Sequence, residues 1–261
     1  TNRVMYSSDG LSWTSALAAE QNGWKNVIYA DGKFVAIASS GTGDRVMYST
    51  DAINWTSASP AEERGWVGIA YGDGKFVAVT GNSTTNQVMY SSDGITWTSA
   101  LSAEERSWQS VTYGNGKFVA VGSQGAVMYS SDGINWTSAS EINVNDWQKI
   151  TYGNGYFVAV ANDGINDVDI MYSTDGISWT AASAPVSSSW KSVAYGNGKF
   201  VAIASSGTGD RVMHSSSLVP NRFVAVSSTG TNRVMYSNCL LYTSDAAEEG
   251  LGVDVGGRRI I

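Results

Sequence analysis

The chain has a single cysteine, Cys239, in 261 residues. No disulfide can form within it, so stability has to come from packing, and sulfur says nothing about compartment. Histidine is equally scarce. His214 stands alone, and one imidazole by itself builds neither a metal centre nor a Ser-His-Asp triad. Charged residues make up 15% of the chain and sum to −7 at neutral pH, with no basic stripe. Nucleic acids and anionic membranes both require such a stripe to replace counterions, so neither is an expected partner. No apolar run approaches the roughly 18 residues of a membrane span, so membrane insertion is not expected. No signal peptide opens the chain, which begins Thr1-Asn2-Arg3 in mid-repeat without an initiator methionine.

What is abundant is repetition. The stretch VMYSSDGITWT, residues 88–98, has close copies starting at Val4, Val46, Val127 and Ile170, a damaged one at Val212 and a stub at Val234. From 4 to 212 the starts are 42, 42, 39, 43 and 42 residues apart. Trp24, Trp66, Trp108, Trp147 and Trp190 keep the same step, each opening a segment like WQSVTYGNGKFVAVG. One period is therefore two linked hairpins.

The third repeat serves as the type. Strand A is read over residues 108–113, where Trp108, Ser110 and Thr112 alternate with Gln109, Val111 and Tyr113. The Gly114-Asn115-Gly116 turn supplies residues that accept positive φ. Strand B follows over 117–121, strand C over 127–130, and an Asp132-Gly133 turn leads into strand D around Trp136 and Thr137. Four short strands in about 42 residues is the period of a propeller blade. A β-sandwich has no reason to repeat one sequence, and a β-solenoid coil is usually shorter. The expected fold is an all-β propeller of four-stranded blades, with five recognisable blades and a broken sixth over residues 1–237, and a non-repeat tail over 238–261.

The segments SSDGLSW, STDAINW, SSDGITW, SSDGINW and STDGISW, starting at Ser7, Ser49, Ser91, Ser130 and Ser173, resemble the Asp-box or BNR repeats of sialidase-like β-propellers. The usual box is Ser-x-Asp-x-Gly-x-Thr-Trp, and here the tryptophan comes one residue early. The resemblance implies a structural hairpin away from the catalytic face. It gives Asp9, Asp51, Asp93, Asp132 and Asp175 turn-stabilising roles as acceptors of backbone N–H bonds, with Trp13, Trp55, Trp97, Trp136 and Trp179 as box tryptophans. The resemblance does not carry sialidase activity over, because no Arg-Ile-Pro motif stands in the sequence, so the expected function is a non-catalytic recognition or structural module, with a sialidase-like glycoside hydrolase as the alternative. The resemblance also extends to photosystem II assembly factors and to bacterial and phage proteins, which implies an extracellular or virion-surface setting.

In the usual winding, A–B and C–D turns share one rim and B–C and D–A connections the other. The first rim is nearly constant: YADGK, YGDGK, YGNGK, YGNGY and YGNGK. The second varies, and variation between repeats on one face is where repeat proteins place recognition, although unconstrained loops also drift. Candidate ligand-binding residues on it are Asp44, Arg45, Asn82, Gln124, Asp163, Asn166, Asp167, Asp210 and Arg211. Trp24, Trp66, Trp108, Trp147 and Trp190 start the inner strands near this rim, where they either stack on sugars or wedge between blades as core. The partner is expected to be a glycan or a protein surface, with no cofactor, no metal and no catalytic residues. Glu62-Glu63-Arg64 and Glu104-Glu105-Arg106 read as solvated turns rather than acid/base pairs. Asp163, Asp167 and Asp169 fall short of the six oxygens that calcium takes.

After Met213 the pattern breaks. Residues 198–213 repeat 32–47 letter for letter, and the hairpin starts at 212 and 234 lie 22 apart. From Cys239 the chain reads CLLYTSDAAEEGLGVDVGGRRII, which resembles the translation of sequencing-adaptor read-through.

Overall fold

The structure, a computed structural model, describes residues 3–82, 85–140, 145–162, 168–182, 184, 188–207, 211–215, 223–226 and 234–237. The chain divides into two compact units, Thr1–Ser217 and Leu218–Ile261. In the second, β22 (Phe223–Val226) pairs antiparallel with β23 (Val234–Ser237).

The first unit is built from successive antiparallel sheets. It opens with a hairpin of β1 (Val4–Tyr6) and β2 (Thr14–Ala16). The first full blade is β3 (Gly23–Ala30), β4 (Lys33–Ser40), β5 (Val46–Ser49) and β6 (Thr56–Ala58). The second is β7 (Trp66–Gly72), β8 (Lys75–Thr80), β9 (Val88–Ser91) and β10 (Thr98–Ala100). The third is β11 (Trp108–Gly114), β12 (Lys117–Gly122), β13 (Val127–Ser130) and β14 (Thr137–Ser138). The fourth is β15 (Trp147–Gly153), β16 (Tyr156–Ala161), β17 (Ile170–Ser173) and β18 (Thr180–Ala182). The fifth sheet has three strands among the described residues, β19 (Ser188–Gly196), β20 (Lys199–Gly207) and β21 (Val212–His214). First strands of consecutive sheets lie side by side, which makes them the inner strands of β-propeller blades.

Each A–B connection is a two-residue hairpin. In the third blade Gly114 pairs with Lys117, and Asn115 and Gly116 between them have φ of 45° and 71°. Two positive φ values in a row define a type I′ turn, whose twist matches that of the flanking strands. Gly114 itself is not a left-handed residue, contrary to its expected role. A Cβ built on it would lie 2.0 Å from the Tyr152 ring of the next blade, as one on Gly72 would from Tyr113 and one on Gly153 from Tyr195. That glycine is there so that a neighbouring blade's tyrosine can lie on the backbone.

The strict alternation expected for strand A also fails directly after the opening tryptophan of every blade, and before it as well in the first and fifth sheets. Trp108 pairs with Gly122 but Ser110 pairs with Val121, so a β-bulge falls at Gln109. The same slip occurs after Trp24, Trp66, Trp147 and Trp190. A bulge re-aims the side chains beyond it, so Trp108 and Val111 join one apolar cluster despite their odd spacing.

The core consists of seams between blades rather than the interior of any one blade. In β8, Phe76 and Ala78 pack toward the first blade with Val35, Ile37 and Trp66. Val77 and Val79, the alternate residues, pack toward the third with Trp108, Val111 and Phe118. Both faces of the second, third and fourth blades are thereby covered, which explains the nearly unbroken apolar runs of their B strands.

Each C–D connection is an aspartate turn. In the second blade the Asp93 Oδ1 accepts from the backbone N–H of Ile95 at 2.8 Å and Thr96 at 2.7 Å, and from the Ser91 hydroxyl at 2.9 Å. The Gly94 N–H donates to Ser91 Oγ at 2.8 Å. Gly10, Gly94, Gly133 and Gly176 hold φ between 71° and 75°, whereas the first blade carries Ala52 there at φ 62°. An L-residue in that region costs about 1–2 kcal/mol. Ala52→Gly is therefore expected to raise stability by about 1 kcal/mol, read as a higher urea midpoint at unchanged slope.

Candidate recognition rim

The division into two rims is visible in the contacts. On one rim, Asn115 of an A–B turn donates from Nδ2 to the Thr174 carbonyl in the next blade's aspartate turn, at 3.1 Å. On the other, D–A connectors meet B–C loops. Asn22 donates from Nδ2 to the Asp44 carbonyl, and Asn86 donates to Glu62 Oε1 at 2.8 Å.

Most polar groups of this second rim are occupied by ties within the chain. Asp44 Oδ1 accepts from the Ser59 hydroxyl at 3.0 Å. Arg45 donates from Nη2 to the Gly41 carbonyl at 3.0 Å and lies 3.9 Å from the Glu63 carboxylate. Exposed Gln124 receives Arg106 Nη1 on its Oε1 at 2.9 Å, and its own N–H donates to Asp146 Oδ1 at 3.0 Å. Asn82 is exposed, with its N–H on Thr80 Oγ1 at 3.2 Å. Arg211 is exposed, and its carbonyl accepts from Ala204 at 2.8 Å. Asp163, Asn166, Asp167 and Asp210 lie outside the described residues.

Trp66, Trp108, Trp147 and Trp190 are at most 1% exposed. Their rings are enclosed between blades, the second of the two placements that the sequence left open. Trp24 is half-buried and donates to the Glu20 carbonyl at 3.1 Å. The tryptophans of the aspartate turns depend on position. Trp97 is 8% exposed, Trp13 is 43% exposed, and Trp55, Trp136 and Trp179 are half-buried. Trp13, Trp55, Trp97 and Trp136 donate from Nε1 to the carbonyl three residues back, at 3.0–3.3 Å.

The glutamates of the D–A connectors are structural ties. Glu20, Glu62 and Glu104 accept from Ser57, Ser99 and Ser138, so the connectors entering the first three blades are fastened to those blades' outermost strands. The Asn86 amide, with Arg64 behind it, holds the Glu62 carboxyl below its ordinary value. A carboxylate kept ionised in this way is unsuited to act as a general acid near neutrality. Among the described residues no three His, Cys, Asp or Glu side chains gather to hold a metal.

Three residues escaped the sequence reading. Gln87 is fully buried, and its Oε1 accepts from Ser102 Oγ, Arg106 N and Trp108 Nε1 at 2.9, 3.0 and 3.2 Å. It fastens the B–C loop of one blade to the connector and inner tryptophan of the next. Asn145, also fully buried, donates to the Val168 carbonyl. The only signal for them was a polar residue abutting an apolar strand, which is also what a loop end looks like. Lys149 follows the bulge of β15, where burial pushes its ammonium pKa down.

Beside the exposed Asn82, Gln124 and Arg211, the rim presents acidic and aliphatic side chains outward. Glu63, Glu105 and Asp146 are exposed on the connectors, and Leu17 and Leu101 are each 66% exposed at connector starts.

No family model matches the chain, and no curated protein matches it. Solved structures do. One is the GH74 enzyme of Niastella koreensis, at 17% identity and a TM-score of 0.56, covering 84% of this chain and 34% of that one. Another is YCF48 bound to D1 peptide, at 14% identity and 0.54, covering 74% and 65%. A third comes from a nidogen/laminin complex, at 11% identity and 0.55, covering 74% and 76%. This chain thus spans less than two thirds of the GH74 enzyme and of YCF48. At such identities the likeness carries the fold, a β-propeller.

Proposed function

We propose that this is a non-catalytic recognition propeller, related to the Asp-box group, that takes a polypeptide segment on the rim of B–C loops and D–A connectors. The observation that carries this reading is the contrast between the rims. One is nearly constant between repeats and consists of turns, whereas the other varies in length and presents exposed Leu17 and Leu101 beside Glu63, Glu105 and Asp146. Aliphatic anchors with acidic neighbours suit a segment that brings apolar and basic side chains. The glycan alternative loses support because four of the five inner tryptophans are buried. That YCF48 was solved with a peptide, and another similar structure as a nidogen/laminin complex, favours a polypeptide partner and keeps an assembly-factor role as the second reading.

Peptide and glycan arrays probed with the full chain test this. Binding is expected on apolar-basic peptides, falling about tenfold in Leu101→Ser and in Glu105→Gln, while Ile95→Ser on the constant rim leaves it unchanged. Glycan spots that light up beside a blank peptide array would sink the polypeptide assignment. Release of dye from a fluorogenic sialoside would instead support the sialidase-like alternative, and none is expected.

A further inference from the structure

The residue that follows the bulge of an inner strand faces the inner strand of the next blade. A Cβ built on Gly68 would lie 3.0 Å from the Ser110 Cα, and Ser110 Oγ accepts from the Ile150 N–H at 3.3 Å. Room is short there, and the residues at this position in the first, second, third and fifth sheets are Asn26, Gly68, Ser110 and Ser192. In the fourth blade the position belongs to Lys149, which pairs with Val160 on β16 and faces β19 by the same register. A four-carbon stem and an ammonium thus enter a seam that elsewhere takes nothing longer than an asparagine.

No group on the surrounding strands balances that charge. β15 packs chiefly against β11, β12, β16 and β19, and none of the four carries an aspartate or glutamate. Their titratable side chains are Tyr113, Lys117, Tyr156, Lys191 and Tyr195. Lys191 Nζ donates to Gln148 Oε1 at 3.0 Å, and Asp146, the nearest carboxylate in sequence, accepts the Gln124 N–H at 3.0 Å. Lys33 and Lys75, by contrast, lie 3.3 and 3.9 Å from the carboxylates of Asp31 and Asp73. Lys149 has no hydrogen-bond or ion-pair partner among the described residues. Burial of an ammonium with nothing to balance it pushes its pKa down. The side chain is half-buried rather than sealed, so a small molecule has access to it.

We propose that Lys149 is a covalent attachment site for a small aldehyde, which its ε-amine takes as a Schiff base. The nitrogen lone pair bonds the carbonyl carbon, and the proton shed by nitrogen ends on the carbonyl oxygen, giving a carbinolamine. That hydroxyl then leaves as water with the second amine proton while the C=N bond forms, so no oxidant or reductant is consumed. A desolvated lysine supplies the free amine that this addition needs, whereas a solvated or ion-paired ammonium holds its proton.

Reductive methylation of the full folded chain with limiting formaldehyde and cyanoborohydride, followed by peptide mass spectrometry, gives a rate for each of the seven lysines. At pH 7 Lys149 is expected to lead the other six by at least about fivefold, because each unit of pKa is tenfold in free amine. Its rate should level off at a pH below the ordinary lysine value of about 10.4. The lead should vanish in urea, where every side chain is solvated. Lys149→Arg, which keeps the cation and removes the nucleophile, should abolish the fast phase of formaldehyde uptake. A Lys149 that reacts level with the other lysines or behind them, a lead that survives unfolding, or a fast phase that persists in Lys149→Arg would each overturn the assignment.

Discussion

Trp108→Ala is expected to cost about 3–5 kcal/mol, the range for deleting a fully enclosed large aromatic. Trp108 is 1% exposed and sits in the seam between the second and third blades with Val79, Val88, Ala100 and Val111. The bulge behind it fixes its direction, so neighbouring strands collapse little into the space it leaves. Gln87 Oε1 would still hold the Ser102 hydroxyl and the Arg106 N–H, so no buried acceptor is stranded. For a unit of this size the loss corresponds to a fall in Tm of roughly 6–20 °C. Trp13→Ala is the internal control, because the same repeat brings that indole to 43% exposure. It should change stability by less than about 1 kcal/mol. Overlapping melting curves for Trp108→Ala and the parent would remove the seam as the source of stability.

Acid is expected to loosen the aspartate turns together. The Asp93 carboxyl is held down to about 2, first by the Thr96 N–H and then by Ile95 and the Ser91 hydroxyl, against a smaller opposing push from burial. Asp9 is likewise held to about 2 by Ser12, Leu11 and Ser7. The Asn54 N–H and side chain lower Asp51, and the N–H groups of Ile177 and Ser178 lower Asp175. At Asp132 burial pushes upward, but the Asn135 backbone and side chain, Ile134 and Ser130 together outweigh it. Each folded value lies below the ordinary carboxylate value of about 3.9 in an unfolded chain. Their stabilisation is therefore complete above about pH 4 and is lost as pH falls toward about 2. The Tm of the parent should drop steeply across that window. The triple variant Asp93→Asn, Asp132→Asn, Asp175→Asn should start lower at neutral pH and drop less. Asp93→Ala alone should cost about 1–2 kcal/mol, the low part of the range for bonds to a charged group, since solvent reaches this turn. Parallel acid profiles for parent and triple variant would show that other carboxylates govern acid unfolding.

Much of the architecture was legible because repetition multiplies weak signals. A single Asp-Gly or Asn-Gly dipeptide is an ordinary turn cue, but the same dipeptide at a fixed period locates the hairpin in every blade. Burial was legible only as a tendency. The ten tryptophans occupy two repeat positions, yet their exposure runs from 0% at Trp66 to 43% at Trp13, because it depends on whether another blade lies alongside. The rim was the least legible part. Gln87 and Asn145 look like loop residues, and only the approach of a neighbouring connector turns them into buried struts.

The sequence by itself determined the four-strand period, the type I′ and aspartate turns, and which rim is constant, because these rest on local backbone chemistry that nearby residues specify. Only the tertiary structure decided where the core lies. It placed the bulge after each inner tryptophan, gave Gly114 its role as a platform for Tyr152, and bound the connector glutamates into ties. It also left Trp13 uncovered. All of these depend on one blade meeting the next, across residues some 40 positions apart in the chain. Distances of that kind are set by packing against a neighbour, and no local pattern encodes them.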